Sequence, residues 1–315
     1  MDNQNKPSWE RELIEKLALA AVTEQKKARR WGIFFKSLMF VYLLAILGIA
    51  VYPKFKEGMG VDGGDHTAII NLVGAIAENK DVTAENIIES LRDAVKDKHT
   101  KGVILHANSP GGSPVQSAYV YDEIKSLKKA HPNIPIYAVV SDICASGCYY
   151  IASAADKIYV NPASLVGSIG VIMDGFGFVE TMTKLGVERR LITAGSHKAL
   201  LDPFSPSKTD ETQYMQALLE QVHQQFISAV KAGRGERLKE TPDMFSGLVW
   251  TGEQSVKLGL ADDFGNDDYV AKEIIGAKET VNFTQQERLL DKLAGKLGTA
   301  FGQAIGNIVN GLFLR

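Results

Sequence analysis

From Trp31 to Tyr52 the chain is apolar at nearly every position, WGIFFKSLMFVYLLAILGIAVY, with Lys36 as its one charge. A helix of that length spans roughly 30 Å of hydrocarbon, and a lysine so near one end reaches back to the headgroups. The pattern predicts one transmembrane helix, a signal anchor over 31–52. Lys26, Lys27, Arg29 and Arg30 precede it with no acid among them, whereas Lys54 and Lys56 beyond it are offset by Glu57 and Asp62. That asymmetry predicts a cytoplasmic segment 1–30 and, across an inner membrane crossed once, a periplasmic or otherwise extracytoplasmic remainder. Two readings compete with the anchor: a buried core helix, and a signal peptide cleaved near the small-x-small triplet Gly48-Ile49-Ala50.

Around the apolar run the periodicity changes. Leu13, Leu17, Ala20 and Ala21 recur at helical spacing among Glu/Lys pairs, so residues 8–28 predict a short amphipathic helix. Residues 53–66, rich in Gly and charge, predict a flexible linker. From Thr67 short apolar runs alternate with amphipathic stretches. TAIINLVG, GVILHAN, IYAVVSD, KIYV, VGSIGVIM and VERRLIT predict strands, and ENIIESLRDAVKD, SPVQSAYVYDEIKSLKKA, ASGCYYIASAA and GFGFVETMTKLG predict helices. A long helix over Thr209–Ala232 and a strand-turn-helix unit in GLVWTGEQSVKLGLADDFG follow. The alternation predicts a layered α/β domain over 67–284 with mostly right-handed crossovers. Leu289, Leu293, Leu297, Phe301, Ile305, Ile308 and Leu312 then form an apolar stripe, predicting an amphipathic helix over 285–315 that packs on the body, on a neighbouring subunit or on a membrane surface.

Composition narrows the function classes. With 35 Lys+Arg against 37 Asp+Glu in 315 residues the chain lacks the basic excess of a nucleic-acid binder, and 45% hydrophobic content excludes general disorder. Two cysteines, Cys144 and Cys148, supply neither a disulfide framework nor a four-Cys zinc site. Their spacing within a small-residue helix reads as two buried apolar side chains, with a thiol nucleophile or a disulfide as alternatives. Nothing in the spacing of the six histidines makes a metal site, and no cofactor is expected.

Two loops place glycines directly after an apolar strand, where α/β sheets gather ligands. Asn108-Ser109-Pro110-Gly111-Gly112-Ser113 can turn backbone N–H groups into a cleft, as an oxyanion hole requires, although such a turn is common by itself. In Ser141-Asp142-Ile143-Cys144-Ala145-Ser146-Gly147-Cys148 a strand passes into a helix, so Ser146 is either an N-cap or an exposed nucleophile with amides behind it. A base for it is available in His197 or Lys198, the latter only where burial disfavours the ammonium form.

NSPGGSP, SDICASGCYYIASAADKIYVNPASLVGSIGV and GSHK, in this order between about Thr67 and Asp263, closely resemble the signal peptide peptidase A group of serine proteases, peptidase family S49, in its short single-domain form. The resemblance implies a ClpP/crotonase-like fold and a Ser-Lys dyad, Ser146 and Lys198, with Ser168 orienting the lysine and the amides around Gly112 and Gly147 forming the oxyanion hole. It further implies a homo-oligomer in which serine and lysine come from neighbouring protomers, and hydrophobic peptides such as remnant signal peptides as substrates. Cys148 stands where the family usually has a second Gly. No histidine lies between Ser146 and His197, which disfavours a ClpP-type triad. The rival functions are a crotonase-like acyl-CoA enzyme and a non-catalytic membrane scaffold.

Overall fold

The computed structural model describes residues 9–59, 64–78, 80 and 82–285, in two compact units that meet in sequence at Gly64 and Asp65. Within the first unit the described residues 9–59 form one helix, α1 (Trp9–Met59). From Trp31 to Ile46 its large side chains, among them Phe34, Phe35, Leu38, Phe40 and Leu43, are exposed all round it. Among the described residues no helix is long and apolar enough to cross a membrane, and the expected anchor runs into positions whose side chains are not described.

The second unit is mixed α/β, as the alternation predicts. Its elements are β1 (His66–Val73), α2 (Ala84–Lys96), β2 (Thr100–Ser109), α3 (Pro114–Ala130), β3 (Ile136–Ala145), α4 (Gly147–Ala152), β4 (Lys157–Val160) and β5 (Leu165–Gly167). There follow α5 (Val179–Lys184), α6 (Thr209–Arg234), β6 (Val249–Thr251), α7 (Gly252–Lys257), β7 (Asp263–Phe264), α8 (Asp267–Tyr269) with a π-helical turn after it, and β8 (Thr280–Asn282). The sheet runs β6-β5-β3-β2-β1-β8, with β4 between β3 and β7, and every pairing is parallel except β5 with β6. Parallel strands need covered faces. Ile70, Leu72, Leu105, Ala138 and Val140 enter the main core under α2, α3 and α4, while Ile104, Val139 and Tyr159 pack on Val270 and Ala271.

Local chemistry sets the helix boundaries. Thr83 caps α2 by accepting the Asn86 N–H at 3.1 Å, and Ile87, Leu91, Ala94 and Val95 make its buried stripe. Ser113 caps α3, whose first residue is Pro114, so the glycine turn after β2 leads straight into a helix start.

The middle strand forks, and the fork makes the site. Tyr137–Val140 of β3 pair with β4, whereas Ile143–Ala145 pair with β5. β3 thus extends to Ala145, three residues beyond the predicted IYAVVSD, carrying the chain to the edge of a cleft. Two expected strands differ. VGSIGVIM is a strand only to Gly167, because Ser168 takes φ +50° and leaves the ladder. VERRLIT has no strand at all: Val187, Leu191 and Ile192 are exposed, and an extended segment without a neighbour has nothing to pair its backbone with. The stripe expected over 285–315 lies, beyond Gln285, outside the described residues.

Candidate active site

Ser146 is the hinge between β3 and α4. Its φ of +52° and ψ of −123° lie in a region that L residues avoid at a cost of about 1–3 kcal/mol, so the surroundings must dictate the conformation. Its N–H donates to the Gly167 carbonyl at 2.8 Å, and its own carbonyl accepts from Tyr150 N–H at 2.9 Å. The side chain makes no capping hydrogen bond, which sets aside the N-cap reading. Among the described residues only Ser168 and Leu201 share a positive φ without being glycine.

The glycine turn lies directly on this hinge. A Cβ on Gly111 (φ +97°) would stand 2.6 Å from the Ala145 carbonyl and from the Gly147 amide nitrogen, and 2.8 Å from the Ser146 Cβ. On Gly112 it would stand 2.1 Å from the Ile76 carbonyl. Only glycine permits both approaches. Ile76 stitches the turn down, its N–H donating to Gly111 O at 2.9 Å and its carbonyl accepting from Ser113 N–H at 2.8 Å. Among the described residues the N–H groups of Gly112 and Gly147 have no hydrogen-bond acceptor, and as the start of α4 the latter is one of the donors a helix leaves unpaired.

Ser146, Gly147, Gly112 and Ser168 line one cavity of about 530 Å³. Its other walls are largely apolar: Tyr150, Val171, Ile172, Val222 and Phe226, with the Tyr150 and Phe226 rings stacked at 4.9 Å. Burial pushes the Tyr150 hydroxyl up, so it keeps its proton at neutral pH. No His, Lys, Asp or Glu is among the residues that line the cavity. Four of the five expected site residues are thus brought together. The fifth, Lys198, is exposed in a turn closed by its own N–H on the Gly195 carbonyl and does not line the cavity; His197 beside it does not either.

Cys144 and Cys148 are fully buried, as expected, but they form a disulfide, the alternative to two free apolar thiols. The helical spacing misled because Cys144 belongs to the end of β3 and only Cys148 to α4. Ile76 and the aromatic wall also escaped sequence reasoning. Tyr150 had a signal, four residues past Ser146 on a helix; Ile76 and Phe226 are distant contacts without one.

A larger hollow of about 930 Å³ contains none of these residues. It is lined by His106, Asp142, Asn161, Asn266, Asp267 and Tyr269 among others, and His106 Nδ1 lies 2.7 Å from Asp267 Oδ2. The hydrogen bond to Asp267 raises the imidazole above its ordinary value against the opposing effect of burial. Of these two, the smaller cavity is the better candidate for catalysis because it unites strained serines with unpaired amides.

The family model for peptidase family S49 matches residues 128–281, which include Ser146, Ser168 and Lys198. Over 198 residues, 63% of this chain, the sequence is 43% identical to a Na(+)/H(+) antiporter NhaA of Brucella abortus, yet the chain spans only 27% of that protein's length. It is 30% identical over 296 residues to the "Putative protease MJ0651" of Methanocaldococcus jannaschii, covering 87% of this chain and 94% of the relative. It is 33% identical over 181 residues to the "Putative signal peptide peptidase SppA" of Enterococcus faecium, 58% of this chain and 52% of the relative. With a parallel-rich α/β sheet that fits the family's ClpP-like fold, and a likeness that runs nearly the full length of one protease-named relative, the chain belongs to peptidase family S49.

Proposed function

We propose that the protein is a membrane-anchored serine endopeptidase in which Ser146 is the nucleophile and Lys198 of a neighbouring copy the general base. The observation that carries this reading is the cavity in which two strained serines, Ser146 and Ser168, meet the unpaired amides of Gly112 and Gly147 without a basic side chain. A serine so placed needs a proton acceptor from elsewhere. Lys198 is exposed on a segment whose apolar side chains Ile172, Phe176, Leu185 and Ile192 are exposed too, which suits a contact between copies. The neutral form of that amine is the one that takes a proton from a serine. Ser168 then fixes its direction by a hydrogen bond.

In the reaction Lys198 Nζ takes the Ser146 Oγ proton as Oγ bonds to the scissile carbonyl carbon. The oxyanion is held by the Gly112 and Gly147 N–H groups. The C–N bond breaks as the lysine returns its proton to the leaving amine, which departs; Lys198 then deprotonates a water that attacks the acyl carbon and passes that proton to Ser146 Oγ as the ester C–O bond breaks, releasing the acid and restoring the serine. Tyr150, Val171, Val222 and Phe226 favour apolar substrate side chains. Hydrophobic peptides such as remnant signal peptides fit, in keeping with the name of the Enterococcus relative.

The anchor reading rests on the run from Trp31 to Tyr52: a helix apolar all round is stable only where it is buried, and lipid supplies that burial. With the basic cluster before it, the catalytic unit lies outside the cytoplasm, at the inner membrane. Mixing inactive Ser146→Ala and Lys198→Ala chains tests the shared dyad. Recovered peptide cleavage is the expected result; none after verified co-assembly rejects a base supplied in trans.

A further inference from the structure

We propose that the Cys144–Cys148 disulfide is a positioning element of the nucleophile turn, so that acylation of Ser146 depends on this bond being closed. The proposal rests on the reading of Ser146 as the nucleophile.

The bond joins the end of β3 to the first turn of α4 across a sequence separation of 4, and Ser146 is the middle residue of the five it encloses. The covalent ring therefore closes around the one residue whose backbone is held at φ +52°. Such a conformation persists only where several restraints fix it together. The others are single contacts: the Ser146 N–H on the Gly167 carbonyl, the Tyr150 N–H on the Ser146 carbonyl, and the bare Cα of Gly111 against the turn. Both cysteines are at 0% exposure within the main core. Two thiols cannot remain at bonding distance, and a close-packed interior has no spare volume to receive them as they separate. The turn between them absorbs the change, and Ser146 Oγ shifts relative to the Gly112 and Gly147 amides. Opening is a two-electron reduction. An external dithiol supplies both electrons and two protons, leaves as its own cyclic disulfide, and converts Cys144 and Cys148 to thiols.

The full-length chain is equilibrated across ratios of reduced to oxidised dithiothreitol. Thiols are counted by alkylation and intact mass, the folded fraction is followed by circular dichroism, and Ser146 acylation is timed with a fluorophosphonate. The acylation rate per folded chain is expected to fall about 10-fold or more as the bond opens, since small misplacements of a reacting group carry penalties of that size. It recovers on reoxidation, and kcat for a peptide falls while KM changes little. Cys144→Ala, Cys148→Ala and the double variant lose one common factor, because either change removes the same bond, and dithiothreitol slows none of the three any further. A rate per folded chain indifferent to reduction, a cysteine variant slowed further by dithiothreitol, or two free thiols in the active wild-type chain overturns the proposal. Failure of the oxidised wild-type chain to label at Ser146 is a separate result, which refutes the nucleophile reading and takes the proposal with it.

Discussion

The Ser146 N–H donates to the Gly167 carbonyl at 2.8 Å, tying the hinge that carries the hydroxyl to the strand end that delivers Ser168. Gly167 sits at φ +111°, where a Cβ would approach Trp250 Cδ1 at 3.0 Å and the Leu248 carbonyl at 3.2 Å. Gly167→Ala is expected to destabilise the protein by about 1–3 kcal/mol through backbone strain. It also lowers kcat, because the displaced carbonyl releases the hinge. Urea unfolding read beside kcat checks this, and unchanged kcat in a measurably destabilised variant would break the proposed link.

Gly112 tests the glycine turn more sharply. An added methyl meets the Ile76 carbonyl at 2.1 Å, backbone that cannot swing aside. Gly112→Ala is expected to cost about 10²-fold in kcat, the size of losing an oxyanion donor. Ile76→Ala leaves both carbonyl and amide in place, so it weakens the support without abolishing the turn, and its kcat falls less.

Much of this arrangement was legible in the sequence. The stripe of α2 and the Pro-Gly-Gly turn carry local signals, and Ser146 stood out because small residues mark a tight passage from strand to helix. Distant contacts left no such mark. VERRLIT carries the strand-favouring Val187, Ile192 and Thr193, yet pairing needs a neighbour that local pattern does not encode. The two cysteines hid their pairing because the boundary between β3 and α4 falls between them.

His106 and Asp267 make a pH prediction. The hydrogen bond to Asp267 raises the folded imidazole above its ordinary value, with Asp142 also favouring the charged form. A raised folded value means that the contribution is fully present below the unfolded value of about 6.5 and is lost as pH rises through the folded one. Thermal stability followed from pH 5 to 9 should therefore decline across that window in the wild type. Asp267→Asn should flatten the decline; an identical slope in the variant would contradict the assignment.

Arg234 is fully buried and donates to Asp262 Oδ2 at 2.7 Å and to the Gly259 carbonyl at 3.0 Å. Burial alone would raise the Asp262 carboxyl, but hydrogen bonds and charge from Arg234, with the Ile158 amide and Arg237, hold it below the usual range. Arg234→Ala removes one member of a buried pair, at a cost of about 3–5 kcal/mol. Since the folded value is lowered, that stability is present above the unfolded value and disappears as pH falls through the folded one. The gap between variant and wild type in urea should therefore narrow in acid.

The nucleophile itself is open to one direct measurement: fluorophosphonate labelling of the full-length chain, with the adduct mapped by mass spectrometry of its peptides. A single adduct on Ser146, absent from Ser146→Ala, is the predicted result. An adduct on another residue, or labelling that persists in Ser146→Ala, would contradict it.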